Sequence, residues 1–289
     1  MTKASDPLEN TIVSLIRKAV TKLPQDVTAA LENALKTETN EIAKTQLRTI
    51  LENIKLAKTL HHPICQDTGT LTFFVEVGYD FPFIKKVKTL IVEAVIQATK
   101  GIPLRSNTVD PFTGRNTGTN IGRHLPWIDW SLIDGDYCKI TVLPKGGGSE
   151  NGSTFRMFNP TVELETIKRF IIEHVIQMGG KPCPPTIVGI GIGGGADISM
   201  KLAKKSLLRP IGNRNRDKTL AKLEKELMQQ LNQTGIGPMG LGGNTTVLDV
   251  HIETAHRHPA SFPVGVVMQC WANRRAAVTI TKDGETRWD

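Results

Sequence analysis

The chain predicts an α/β fold in which mixed β-sheets are flanked by helices, behind an N-terminal helical layer. Apolar residues recur at helical spacing through residues 8–23 and 26–60. Beyond them, runs rich in β-branched and aromatic residues, such as 71–77, alternate with amphipathic stretches. No linker and no internal repeat divides the 289 residues. The first helical stretch breaks near Pro24 and the second near Thr37. Strand 71–77 is followed by a helix over 85–100, with Val87, Ile91, Val95 and Ile96 on its apolar side. Residues 101–135 carry Pro103, Pro111, Gly114, Gly118, Gly122 and Pro126, and read as a long ordered loop, a feature usually functional in a compact chain. Strand 138–143, helix 161–178, strand 186–192, helices 196–208 and 217–232, a turn over 235–243 and strands 246–251, 264–269 and 276–281 complete the set. The length suits one large domain or two fused lobes. It is read here as one domain over 1–289, with 1–60 as the helical layer and 61–289 as the α/β region.

Lys and Arg total 36 against 28 Asp and Glu, a formal charge of +8 with pI near 9.3. Nucleic-acid binding is the obvious reading of such a balance. The basic residues are dispersed, however, with no run longer than Lys204-Lys205 or Arg274-Arg275. Aromatic residues make up only 5% of the chain, so base-stacking platforms are not expected. A positive field equally suits an anionic substrate. No apolar run reaches the length of a membrane span, and the opening residues 1–6 are polar, so a cytoplasmic protein is expected.

Four cysteines, Cys65, Cys138, Cys183 and Cys270, are the most informative residues. None belongs to a C-x-x-C pair, which sets aside zinc-ribbon, thioredoxin-like and ferredoxin-type spacings. A disulfide-stapled secreted protein is equally unexpected. Cys138 falls inside an alternating strand and is given no role. The other three lie at element ends: Cys65 in Pro63-Ile64-Cys65-Gln66-Asp67-Thr68-Gly69-Thr70, Cys183 in Gly179-Gly180-Lys181-Pro182-Cys183-Pro184-Pro185, and Cys270 between an apolar run and Trp271. Loops at strand ends carry sites more often than element interiors do. Three such thiolates can hold an iron–sulfur cluster with one iron left open, or a metal with one vacant position. Buried free cysteines in loops are the bland alternative.

Two other motifs are weighed and set aside. Gly189, Gly191 and Gly194 match G-x-G-x-x-G after a strand, but the loop 209–217 follows the next helix where a second strand ending in an acidic residue is needed, so dinucleotide binding is not expected. These glycines instead let backbone pass close to a cluster or a neighbouring helix. His251, His256 and His258 lie near Glu253, yet their spacing is not the His-Glu-x-x-His of a zinc helix. His251 and His256 are read as structural. Lys145-Gly146-Gly147-Gly148-Ser149-Glu150-Asn151 follows a strand and suits either an anion nest or a plain turn; it is not a Walker loop.

Taken together, Cys-Gln-Asp-Thr-Gly-Thr at 65–70, Lys-Gly-Gly-Gly-Ser-Glu-Asn at 145–151, Gly-Gly-Lys-Pro-Cys-Pro-Pro at 179–185 and Gly-Pro-Met-Gly-Leu-Gly-Gly-Asn-Thr-Thr at 237–246 show a family likeness. With His-Ile-Glu-Thr-Ala-His-Arg-His-Pro at 251–259 and Cys-Trp-Ala-Asn-Arg-Arg at 270–275, the chain resembles the α part of the iron–sulfur hydro-lyases. That family contains class I fumarate hydratase and L(+)-tartrate dehydratase, and the likeness runs from about the fiftieth residue to Arg275. The resemblance implies a four-iron, four-sulfur (4Fe-4S) cluster held by Cys65, Cys183 and Cys270, with an open iron acting as a Lewis acid on a hydroxy diacid.

Removing water from such an acid requires a pull on the hydroxyl, a proton for the departing oxygen and a base for the carbon proton. The resemblance assigns proton transfer to Asp67 and His258, and allows the latter to reach another protomer's site. It assigns substrate binding to Gln66, Arg105, Gly147 and Gly148; the fork of an arginine suits a carboxylate. The expected activity is reversible hydration of fumarate to L-malate. L(+)-tartrate dehydration to oxaloacetate is the second reading, and a non-catalytic iron–sulfur subunit the third. The Lys-Gly-Gly-Gly-Ser-x-Asn segment resembles fumarases. The family's β part, which carries the carbon base, does not follow Asp289, so a separate β subunit is expected, in an α2β2 assembly.

Overall fold

The computed structural model describes residues 6–289; the polar opening, residues 1–5, lies outside the described residues. Helices and mixed sheets alternate as the sequence predicts, behind three N-terminal helices: α1 (Pro7–Thr21), α2 (Gln25–Thr37) and α3 (Glu41–Leu60). The chain falls into two compact units, each assembled from separated segments.

Unit one joins the residues up to Pro24 with Ile54–Gly146 and Arg274–Asp289. It holds β1 (Thr70–Gly78), α4 (Ile84–Gly101), β2 (Trp127–Ile133), β3 (Cys138–Lys145), β8 (Ala276–Ile280) and β9 (Thr286–Trp288), the strands lying in the order β2-β1-β3-β8-β9. Only the β1–β2 pair is parallel. α1 starts where Asp6 caps Leu8 N–H at 2.9 Å, and a proline takes the first position, where no N–H is needed. Its stripe Ile12, Leu15, Ile16 and Ala19 packs with Ile91 and Val95 of α4 against Phe73, Val75, Val77, Ile140 and Val142. Those strand residues alternate, as a sheet with one helix-covered face requires.

Unit two comprises Gln25–Asn53 and Gly147–Asn273. It contains α5 (Gly147–Glu150), β4 (Thr154–Phe158), α6 (Leu164–Met178), β5 (Thr186–Gly194), α7 (Ala196–Ser206), α8 (Lys218–Gln233), β6 (Val247–Arg257) and β7 (Phe262–Gln269). The strand order is β4-β7-β5-β6, with β5 and β6 parallel. Ile167, Ile171 and Val175 of α6 and Leu223, Leu227 and Leu231 of α8 cover Val188, Ile190, Val264 and Val266.

Four elements depart from the sequence reading. The region 101–135 is not all loop, because it contains β2, an edge strand whose Trp127, Trp130 and Leu132 stay exposed. The glycine segment after β3 folds into the single turn α5, followed by β4. β6 runs on to Arg257 and so takes His256, as well as the expected His251, into a strand. β9 adds a short final edge.

Candidate active site

The Cys65 segment connects α3 to β1. Cys65 and Gln66 are exposed, Asp67 is half-buried and Thr68 is buried. Asp67 Oδ1 accepts the Gly69 N–H at 2.9 Å, which closes a tight turn. Gly69 sits at φ +84° with its Cα against β3, where an added Cβ would stand 2.7 Å from Lys145 N. Only glycine meets both demands.

The turn is braced by the loop that follows α4. Arg105 N–H donates to Thr68 Oγ1 at 3.1 Å. Asn107 Nδ2 reaches Asp67 Oδ1 and Thr68 Oγ1 at 3.3 Å each and Gly69 O at 3.2 Å. Asn120 carries that loop in turn, receiving Asn107 N–H at 2.7 Å and donating to Arg105 O at 3.0 Å. Arg274 Nη1 donates to Asp67 O at 2.8 Å. The structure thus brings Gln66, Asp67 and Arg105 into one braced segment, with the Arg105 side chain exposed. Asn107 and Arg274 belong to it as well and were missed in the sequence. Their signal was faint: Asn107 stands two residues after Arg105, and Arg274 inside the Cys-Trp-Ala-Asn-Arg-Arg motif.

In unit two, strand register gathers four motifs at one end of the sheet. Ile187, near the start of β5, pairs with Gln269 at the end of β7. Thr186 pairs with Val247 at the start of β6, and Thr154 at the start of β4 with Val266. The segments just before β4, β5 and β6 and just after β7 therefore meet there: Gly147 to Ser153, Gly179 to Pro185, Pro238 to Thr246, and Cys270 to Asn273. Trp271 N–H donates to Cys183 O at 3.1 Å, and Met239 N–H to Pro184 O at 2.8 Å. Gly148 lies beside the 179–185 segment, where an added Cβ would stand 3.3 Å from Lys181 O. Gly147 and Gly148 open α5 and are exposed. Cys183 and Cys270 are half-buried, and Cys183 holds a left-handed backbone at φ +55°.

His258 is not brought to that end. It sits exposed in the turn between β6 and β7, with Nδ1 accepting Ala260 N–H at 3.1 Å. A full strand separates it from Cys270, roughly 25 Å at ~3.3 Å per residue. His251 is buried and structural, its ring nitrogens 3.0 Å from Ser206 O and 3.1 Å from Asp249 Oδ2. His256, in β6, is exposed. The glycines of β5 serve packing: a Cβ on Gly189 or Gly191 would run into the carbonyls of Ala203 or Ser199, so α7 lies directly on the strand.

The donor set suits a thiolate-bound group. None of the four cysteines is in a disulfide; Cys65 is exposed, and Cys183 and Cys270 are partly so. Cys138 differs, since burial pushes its thiol up to about 12 and keeps it protonated. Ser153 Oγ, Thr186 Oγ1, Gln269 Oε1 and Asn273 Oδ1 are buried without hydrogen-bond partners, and all four belong to the sheet end that carries Cys183 and Cys270. Buried orphans of this kind call for a further partner, a water, an ion or a bound group. Among the described residues, no three His, Cys, Asp or Glu side chains stand grouped as a ready metal site. Two of the candidate thiols belong to unit two and Cys65 to unit one. No helix among the described residues is long and apolar enough to cross a membrane.

The family model described as fumarate hydratase (Fumerase) matches residues 9–279. A protein of Methanocaldococcus jannaschii, provisionally named L(+)-tartrate dehydratase subunit alpha, is 48% identical over 282 residues, covering 96% of this chain and 99% of its own length. The L(+)-tartrate dehydratase subunit alpha of Escherichia coli K12 is 36% identical over 282 residues, covering 97% of this chain and 93% of its own. A match of this extent, which spans every motif discussed above, means that the chain belongs to the fumarate hydratase (Fumerase) family of hydro-lyases.

Proposed function

We propose that this chain is the α subunit of an iron–sulfur hydro-lyase that interconverts fumarate and L-malate, working as one functional unit over 1–289 in the cytoplasm. The observation that carries the reading is the family match across residues 9–279, which includes the cysteine and Asp67 motifs. Cys65, Cys183 and Cys270 would hold a 4Fe-4S cluster as thiolates. Such a cluster, when bound, supplies an open iron as Lewis acid to a substrate hydroxyl and carboxylate.

The chain's own residues do the rest. Arg105 offers its guanidinium to a substrate carboxylate, and Gln66 adds an amide that can donate or accept. The backbone at Gly147 and Gly148 lines the approach to the acid. Asp67 takes or returns the proton at the substrate's hydroxyl oxygen, and its fixed Oδ1 keeps the carboxylate aimed. His258 is the second proton-transfer residue. Its distance from Cys270 within the chain supports a role in a site shared with another copy. The names of the relatives, each a subunit alpha, support a separate β subunit that brings the carbon base, in an α2β2 assembly.

Those same names favour a second reading, dehydration of L(+)-tartrate to oxaloacetate. The Lys-Gly-Gly-Gly-Ser-Glu-Asn segment at 145–151 favours fumarate. Steady-state rates with both acids on the anaerobically assembled complex separate the two. Faster turnover of fumarate is expected; turnover of L-tartrate alone would transfer the assignment.

A further inference from the structure

We infer that Arg274 is a positioning residue for Asp67, clamping the turn that presents this carboxylate and placing fixed positive charge beside it. The inference rests on the reading that Asp67 moves a proton at the substrate oxygen. Arg274 is 1% exposed, so its charge is removed from water. Its Nη1 donates to Asp67 O at 2.8 Å, while Nε is buried with no partner. Among the described residues, no carboxylate oxygen lies within ion-pairing distance of it. A buried guanidinium held by one hydrogen bond is an expensive way to anchor a loop, because its desolvation is not offset by an ion pair. A neutral donor would hold the carbonyl equally well.

Gly146 shows where that charge acts. A Cβ built there would stand 2.8 Å from Asp67 Oδ2 and 3.7 Å from Arg274 Nη2. The carboxylate and the guanidinium therefore flank the same point, across a residue with no side chain. Asp67 Oδ1 faces Gly69 N and Asn107 Nδ2 on its other side. The cation thus works on Asp67 in two ways, through the backbone carbonyl and through space.

The test compares wild type, R274Q and R274K in the anaerobic complex with the β subunit. R274Q is expected to lower kcat about a hundredfold, with KM within about twofold of wild type and iron content unchanged. R274K keeps the charge but gives up the planar fork, and is expected to lower kcat about tenfold. Wild-type kcat in R274Q overturns the inference, as does a loss confined to KM. Should R274Q fail to fold, R274K decides, because unaltered kcat in that variant overturns it too. Should the wild-type complex turn over neither acid, the reading of Asp67 has failed. The clamp is then judged by amide hydrogen exchange over residues 65–69, which R274K or R274Q should speed about tenfold; unchanged exchange refutes it.

Discussion

The backbone N–H of Trp271 donates to the carbonyl oxygen of Cys183 at 3.1 Å. This bond ties the segment after β7 to the segment before β5, two stretches far apart in sequence that each carry one half-buried thiol. Sheet register alone would bring their strands together, but not their loops. The hydrogen bond makes the two loops one surface, and a ligand held by both sulfurs then meets a preorganised pair.

Asp67 and Asn107 should separate chemistry from stability. Asp67→Asn keeps an oxygen that can accept the Gly69 N–H, so the fold should stay intact while kcat falls about 10²–10⁴-fold. Asn107→Ala removes three donor contacts to the same turn and should lower kcat less, about tenfold, by loosening the carboxylate. Thermal melting alongside steady-state kinetics checks both. Equal losses in melting temperature and rate would make Asp67 a structural residue.

Glu38 predicts an acid-dependent loss of stability in unit two. Burial works to raise its carboxyl, but backbone N–H groups of Asn40, Asn244, Thr39 and Thr245 outweigh it and hold the group below its ordinary value of 4.5. A folded pKa below the unfolded one means that stability is fully present above pH 4.5 and is lost as pH falls through the lower folded value. Glu38→Gln should cost about 1–2 kcal/mol near neutrality, and the gap to wild type should narrow on acidification. Denaturant midpoints at a series of pH values measure this, and a gap independent of pH would contradict it.

Gly191 tests the packing explanation of the β5 glycines. An alanine Cβ there would collide with the Ser199 carbonyl, a backbone atom with nowhere to go. Gly191→Ala should destabilise by about 3 kcal/mol or more, and wild-type protein should show no affinity for dinucleotides. Nucleotide binding by titration calorimetry would restore the reading set aside from sequence.

His258 carries a prediction about assembly. If it serves a site built by another copy, chains bearing C270S and H258A should each be inactive with the β subunit and regain activity on mixing and reassembly. Absence of activity at every mixing ratio would remove the shared-site role.

The legible parts of this fold are those whose burial follows a period. α1, α4, α6 and α8 show their apolar stripes in sequence, and β1, β5 and β7 their apolar runs. β2 was obscured because it lies between Pro126 and Gly135 and leaves Trp127, Trp130 and Leu132 exposed, so its residues do not alternate between core and solvent. α5 is one turn of glycines, serine and glutamate, too short for any period. The two-unit division has little compositional mark, since the chain passes between units after Pro24, inside α3, within the glycines at 146–147 and between Asn273 and Arg274.

At the site, residues with distinctive chemistry were readable: three thiols at element ends and a carboxylate two positions from one of them. Arg274 and Asn107 were not, because they act by binding backbone and neighbouring side chains. Their importance depends on burial that only the tertiary structure creates. The separation of His258 from Cys270 was hidden for a similar reason, as the length of β7 decides it.

Iron and acid-labile sulfide, measured in anaerobically purified protein and in four single serine variants, bear most directly on the account. Wild type and C138S should both be brown and retain about four irons per chain, the stoichiometry of a 4Fe-4S group, whereas C65S, C183S and C270S should each lose most of that content. Colourless wild-type protein, or full iron retention in any of the last three variants, would contradict it.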